Sequence, residues 1–389
     1  MVDSGHFSLT RHFDKRSNPV YGATSNPHDP TRTSGGSSSG EAALQALGGA
    51  VFGLGSDIAG SIRLPAHYCG IVGMKPTSGR LSRRGITGSF SGIVNVGATS
   101  GPMCRDVDTA VLVLRHIWAE DSKVISAQDP NVAPVSWREG LFGESKPLRI
   151  GFYEDDGFFT AVPVCSRAVR EAVDVLRNKG HTLIKWNPPD VSKAFQLLVA
   201  VCFPDQGKEM LQLLDKDIIE PYNEPFIQML RQPILLRKIK QFLFNNTRTK
   251  TENCFSLNQS ELRELHANIG QYREVFCRFW QSSNLDAVLC PPGASPAVSF
   301  DVPQQCIEMF SYTCLYNLLD YPAGVIPWTK VTEDDVKNLQ NYPTTNDEMN
   351  LVKRSNLDSF GLPVGVQIVS LPFREEICLR LMKELERTQ

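Results

Sequence analysis

Gly35-Gly36-Ser37-Ser38-Ser39-Gly40-Glu41 and Gly55-Ser56-Asp57-Ile58-Ala59-Gly60-Ser61-Ile62-Arg63 are the two segments on which the reading of this chain turns. They set Ser37 and Ser61 on two glycine-rich turns. Glycine lets a backbone enter left-handed conformations and lets another group approach closely. A serine on such a turn can present its hydroxyl while neighbouring N–H groups point at the same spot. Acyl transfer needs that combination, a nucleophile beside donors that stabilise an oxyanion.

Other readings of the first segment fare worse. A flexible Gly/Ser linker has the composition of 35–40. Residues 41–55, however, read as a short, tightly packed, buried helix running into a strand, and a second Gly-Ser turn follows. Glu41 suits the first turn of that helix, at the positive end of its dipole. Gly36-Ser37-Ser38-Ser39-Gly40 formally matches the G-x-S-x-G elbow of α/β hydrolases. That elbow needs a strand before it, and residues 28–34 make a poor one. It also needs a later acid and histidine, and His67, His116, His181 and His266 have no setting that marks them. A phosphate-binding loop fails because no lysine follows the final glycine.

The composition is that of a soluble globular enzyme, with 41% hydrophobic and 21% charged residues over 389 positions. That length allows two domains, but large α/β enzymes often exceed the usual domain size as one unit. A net charge of −2 leaves no electrostatic footprint for nucleic acid. No apolar run is long enough for a spanning helix, and the start has no signal-peptide core. The ten cysteines include no C-x-x-C pair and sit mostly in apolar stretches, so they read as reduced, buried thiols. No Cys or His spacing suggests a metal, and no cofactor is expected. The sequons at Asn245 and Asn258 carry no weight in a cytosolic protein.

Along the chain, residues 1–34 are polar and irregular. Helices are expected at 106–118, 166–178 and 374–387. Strands are expected at 146–152, 181–186, 285–289, 320–327 and 361–369. This alternation argues for an α/β architecture.

The serine segments, Gly70-Ile71-Val72-Gly73-Met74-Lys75-Pro76-Thr77, Gly101 to Asp106, Asp320 to Pro327 and Gly361 to Gln367 together resemble the amidase signature enzymes. Leu315 to Val325 and Ser370 to Arg380 bring the likeness nearest to the fatty acid amide hydrolases, over almost the whole chain. The resemblance implies one large amidase domain over 1–389, a twisted mixed β-sheet surrounded by helices. It implies a serine hydrolase that needs no histidine. Ser61 would be the nucleophile, and Ser37, in a cis peptide, would relay its proton to a lysine base. The backbone of Ile58, Ala59, Gly60 and Ser61 would form the oxyanion hole. Ser38, Asp57 and Arg63 would support the turn. The substrates would be fatty acid primary amides and N-acylethanolamines, cleaved through an acyl-Ser61 intermediate. Alternatives are a non-catalytic form that binds lipid amides or pairs with a full-length subunit, and an enzyme for small amides or esters.

Two departures follow from the same likeness. Ala59 stands where the family usually has glycine, which leaves its N–H available. The family's lysine lies further upstream of the first serine than this chain extends, and Lys15 is the one lysine before Ser37. The expectation is a chain that begins after the catalytic lysine, lacks the first elements of the fold and is impaired in activity. Lys75 is a weaker substitute, since its Lys-Pro-Thr setting matches a structural segment.

Residues 225–244 place Leu235, Ile239 and Phe242 on one helical face, with Arg237, Lys238 and Lys240 on or beside the other, and Pro233 breaks the stretch in two. Basic residues among large apolar ones suit a helix in a membrane interface, and the position resembles the membrane cap of fatty acid amide hydrolases. The expected partners are therefore a fatty acid amide and a membrane surface, with a homodimer compatible with the likeness. The expected location is the cytoplasmic face of membranes, with cytosol open to this form.

Overall fold

Ala287-Val288-Leu289-Cys290 and Pro363–Ser370 are buried at every position, as strands covered on both faces must be, and they lie side by side near the middle of one sheet. The computed structural model describes residues 17–18, 22–86, 92–119, 122–205, 207–215, 224–233, 258–386 and 388. Strands β1 (Ser17–Asn18) and β2 (Gly22–Ala23) form a separate small hairpin. The main sheet has eight strands: β3 (Phe52–Asp57), β4 (Val72–Lys75), β5 (Thr99–Cys104), β6 (Arg149–Phe152), β7 (Thr182–Lys185), β8 (Ala287–Cys290), β9 (Ala323–Lys330) and β10 (Pro363–Ser370). Their order is β3-β5-β4-β9-β10-β8-β6-β7. β6 runs parallel to β7 and β8, and the other pairs are antiparallel. The sheet is mixed, as expected, and it is open.

Helices pack on both faces. α1 (Ser39–Ala46) and α2 (Arg63–Cys69) touch each other, and α2 lies over β4, β9 and β10. Gly73 of β4 turns towards Ile62 and Ala66, at and after the start of α2, while its neighbour Met74 meets Gly324 on the opposite face. α3 (Val107–Ile117) packs on β5, with Asp106 as its N-cap, accepting a hydrogen bond from the Thr109 N–H at 2.7 Å. α4 (Pro163–Asn178) starts with proline where no N–H is needed and buries its Val169, Val173 and Leu176 face. α5 (Val191–Cys202) packs against α7 (Ser311–Leu318). α6 (Gln259–Ser282) is opened by a capping box between Asn258 and Glu261. α8 (Glu375–Glu386) closes the chain over β9 and β10, its Met382 against Gly324 on the face away from α2.

The segment 28–34 holds only isolated bridges, at Arg32 and Thr33, so no strand leads into the first serine turn. Of the expected cap segment, Glu224–Arg231 is a helix whose Ile227 and Leu230 are buried in the core. Leu235, Ile239 and Phe242 lie outside the described residues. No helix among the described residues is long and apolar enough to cross a membrane. The described cysteines are all free, and among the described residues no group of side chains could hold a metal ion.

Candidate active site

β3 ends at Asp57, and the chain turns through Ile58 to Ser61 before entering α2 at Arg63. The turn is held from beneath by one carboxylate. Asp57 is fully buried, and its Oδ1 accepts from the Gly60 N–H at 2.8 Å, Asn317 Nδ2 at 2.8 Å and Arg63 Nη2 at 3.0 Å. Its Oδ2 accepts from the Ile62 N–H at 3.1 Å and Arg63 Nε at 3.0 Å. Burial alone would push the Asp57 carboxyl up. The Arg63 charge and hydrogen bonds outweigh that and hold it well below the usual carboxylate range. Arg63 is also fully buried, and its Nη1 donates to Gln367 Oε1 at 2.7 Å.

Above this clamp the turn is tight. Gly60 has φ +122°, and a Cβ there would sit 2.4 Å from Thr313 Oγ1. The Thr313 hydroxyl donates to the Ala59 carbonyl at 2.9 Å, which fixes the peptide between Ala59 and Gly60. With Gly60 N–H given to Asp57, the N–H groups of Ile58, Ala59 and Ser61 have no acceptor among the described residues.

The first turn is fastened to the second. Ser38 N–H donates to the Ser61 carbonyl at 3.1 Å, and Ser38 Oγ accepts from the Ser56 N–H at 3.3 Å. The peptide between Gly36 and Ser37 is cis. Gly35 has φ +80°, and a Cβ there would lie 2.7 Å from Pro65 Cα in α2, so the two segments approach backbone to backbone. Ser37 is half-buried and Ser61 is 8% exposed. Neither hydroxyl hydrogen-bonds the other or any other described residue; the turns are joined through Ser38 instead.

The sequence profile of the family described as Amidase matches residues 12–379. The chain belongs to the amidase family. It is 41% identical over 375 residues to fatty acid amide hydrolase 1 of Caenorhabditis elegans, and 39% identical over 378 residues to that of Sus scrofa. Both matches cover 95% of this chain and 65% of the relative. A solved structure of a fatty acid amide hydrolase superposes with a TM-score of 0.79 at 27% identity, covering 97% of this chain and 63% of the other. The chain thus spans just under two thirds of the length of these amidases.

The remaining candidates divide clearly. Lys75 is buried in β4, and its Nζ donates to the Pro76 carbonyl at 3.1 Å and to neither serine. Burial lowers its pKa first, and Asp320, Asp57 and Glu375 pull the other way. His67 is a satisfied core group: its Nδ1 accepts from the Gly365 N–H at 2.8 Å and its Nε2 bonds the Ser295 carbonyl at 3.0 Å. His181 bonds Glu384 at 2.7 Å, His266 bonds Asn95, and His116 is exposed on α3. Among the described residues no histidine is bonded to either serine turn, so the elbow reading finds no base there. Asn317, Gln367 and Thr313 complete the clamp without having been singled out in the sequence. The signal available was an amide in an apolar run: Gln367 is polar yet fully buried in β10, with its Nε2 donating to the Tyr312 carbonyl at 3.2 Å.

Proposed function

We propose that this chain carries the serine machinery of an amide hydrolase whose substrates are fatty acid primary amides and N-acylethanolamines. The observation that supports it most is the buried Asp57 clamp, which takes one turn N–H and leaves those of Ile58, Ala59 and Ser61 free beside a serine. The choice of lipid amides rests on the names of the two relatives above.

In this reading Ser61 Oγ attacks the amide carbonyl and its proton passes through Ser37 to a neutral lysine. The carbonyl oxygen becomes an oxyanion held by the free N–H groups, each worth about 3–4 kcal/mol in such a hole. The proton returns through Ser37 to the departing amine, which leaves as the neutral amine while acyl-Ser61 forms. Water, deprotonated by the same relay, then releases the fatty acid. Ser38 holds the two turns together, and Asp57 and Arg63 keep the nucleophile turn in shape. Among the described residues no lysine is bonded to either serine, and Lys75 donates to the Pro76 carbonyl instead. Leu235, Ile239 and Phe242 would lay the enzyme on the cytoplasmic face of a membrane, from which a lipid amide enters.

A second reading is a chain that binds lipid amides without turning them over. The absence of a hydrogen bond between Ser37 and Ser61 among the described residues supports it. A fluorophosphonate titration and a long-chain amide assay separate the two. Stoichiometric labelling lost in Ser61→Ala, together with turnover once a lysine segment is supplied, is the expected outcome. Tight amide binding with no labelling under any condition would favour the binder.

A further inference from the structure

The first turn of α7 joins two distant parts of the chain through four consecutive residues. On one side, the Thr313 hydroxyl donates to the Ala59 carbonyl at 2.9 Å, and the Cys314 thiol reaches the same oxygen at 3.5 Å. On the other, the Ser311 hydroxyl donates to Asp156 Oδ2, and the Tyr312 hydroxyl donates to the Phe159 carbonyl at 2.7 Å. The Asp156 carboxylate also gathers its own loop. Its Oδ1 accepts from the N–H groups of Phe158 at 2.9 Å and Phe159 at 3.0 Å. Asp156, Ser311 and Thr313 are all buried. The clamp holds the same helix at two more points, since Gln367 donates to the Tyr312 carbonyl and Asn317 donates to Asp57. α7 is therefore a rigid link between the 156–159 loop and the turn that carries Ser61.

Each end of this link has two states. Thr313 has one hydroxyl proton and two carbonyls within reach, Ala59 at 2.9 Å and Phe310 at 3.0 Å. A proton given to Phe310 releases the peptide between Ala59 and Gly60. A displacement of about 1 Å at a reacting centre costs up to about a hundredfold in rate. At the far end, the titratable groups facing Asp156 are Asp155 on its own loop and Tyr312 and Cys314 on α7, both kept neutral by burial. Burial is the main cause that pushes the Asp156 carboxyl up to about 6, against its hydrogen bonds from Ser311, Phe159 and Phe158, and Asp155 adds to the rise. Once protonated, this carboxyl has a hydrogen of its own to give, so the Ser311 hydroxyl must reorient, and the N-terminal end of α7 loses its negative neighbour. We propose that Thr313 and Asp156 are positioning residues for the Ile58–Ser61 turn, which α7 couples so that the orientation of the Ala59–Gly60 peptide follows the charge of the Asp156 carboxyl. The proposal rests on the hydrolase reading for its effect on rate, and on the hydrogen bonds alone for the coupling.

The sequence allows a direct reading of that peptide. Alanine labelled at its carbonyl carbon, combined with nitrogen-labelled glycine, selects the Ala-Gly bonds, and the chain has them only at Ala59–Gly60 and Ala323–Gly324. Both signals are followed by NMR as pH is taken through about 6. Asp57, held well below the usual carboxylate range, stays ionised throughout. The Ala59–Gly60 signal should shift with a midpoint near 6 and lose that shift in Asp156→Asn. It should be displaced at every pH in Thr313→Val and restored in Thr313→Ser, while Ala323–Gly324 stays in place. The wild-type titration needs no variant, and Ser311→Ala replaces Asp156→Asn if that protein unfolds. Fluorophosphonate labelling of Ser61 gives the second readout. Its maximal rate should fall about tenfold in Thr313→Val and return in Thr313→Ser, with the half-saturating reagent concentration unchanged. The ratio of wild type to Asp156→Asn should close towards one as pH drops below about 6. An Ala59–Gly60 signal indifferent to pH, or shifting equally in Asp156→Asn, overturns the inference. A shift tied to Asp156 with no labelling of Ser61 in any form keeps the coupling and removes the hydrolase reading.

Discussion

Replacing Asp57 with alanine tests the physical basis of the Ile58–Ser61 turn. The substitution removes the one acceptor shared by Gly60 N–H, Ile62 N–H, Asn317 Nδ2 and two nitrogens of Arg63, all in a site closed to water. Breaking a buried ion pair from one side costs about 3–5 kcal/mol, because the remaining charge is left uncompensated. The orphaned turn donors cost about 1–3 kcal/mol more, less whatever the turn recovers by relaxing. The sum approaches the whole stability of an ordinary domain, about 5–15 kcal/mol. Arg63→Met alone leaves a buried carboxylate that still accepts three hydrogen bonds, and it should cost less, about 2–4 kcal/mol. The double variant Asp57→Ala/Arg63→Met removes both charges together. Urea unfolding of the four proteins closes a double-mutant cycle. The expected coupling exceeds about 2 kcal/mol, with the double variant more stable than the sum of the singles allows. Costs that add to within about 0.5 kcal/mol would refute the clamp as the source of the turn's stability.

Three further outcomes follow. Gly60→Ala puts a Cβ 2.4 Å from Thr313 Oγ1 and 2.9 Å from Thr313 Cβ, at φ +122°; it should lose about 2–5 kcal/mol in urea and most fluorophosphonate labelling, and a loss under about 0.5 kcal/mol would contradict the tight turn. His67 is held neutral, its pKa lowered to about 4 first by burial, whereas in the unfolded chain it titrates near 6.5. The unfolded state therefore binds the proton first as pH falls; the contribution is complete above about 6.5 and about 3 kcal/mol is lost on the way down to about 4. Asp156, raised to about 6 by burial, works in the opposite sense, so the quantity to measure is wild type minus His67→Gln across that window, and a flat difference would contradict the assignment. Ile239→Glu/Phe242→Glu should abolish flotation with anionic vesicles, and flotation unchanged by the pair would rule out an interfacial role for that segment.

How much of this was legible in the sequence depended on the range of the interactions. The turns that hold Ser37 and Ser61 were legible because their glycines are local: Gly60 and Gly35, both at positive φ, mark turns that the adjoining residues cannot make alone. Strands such as Ala287–Cys290 and Pro363–Ser370 were legible as apolar runs bounded by proline, glycine or serine. α2 was harder, since Pro65 reads as a breaker, yet it falls in the first turn of the helix, where no intrahelical N–H bond is needed. The long α6 was missed, although Asn258 and Glu261 spell its capping box. Asn317 and Gln367 were out of reach for a different reason. Each joins Asp57 or Arg63 across more than 250 residues of chain, a meeting decided by the position of α7 and β10 against α2. Nothing in a local pattern tells such an amide from a solvated one. The free donors of the turn could not be sorted either, because only the folded turn brings the Gly60 N–H onto Asp57.

The claim under all of this is that Ser61 is an activated nucleophile once a lysine-bearing segment lies beside it. Intact and peptide mass spectrometry after fluorophosphonate treatment, with that segment present, measures this directly. One adduct per chain on the peptide containing Ser61, absent in Ser61→Ala and slowed in Ser37→Ala, is the predicted result. An adduct on another residue, or an unmodified Ser61 while the segment is bound, would contradict it.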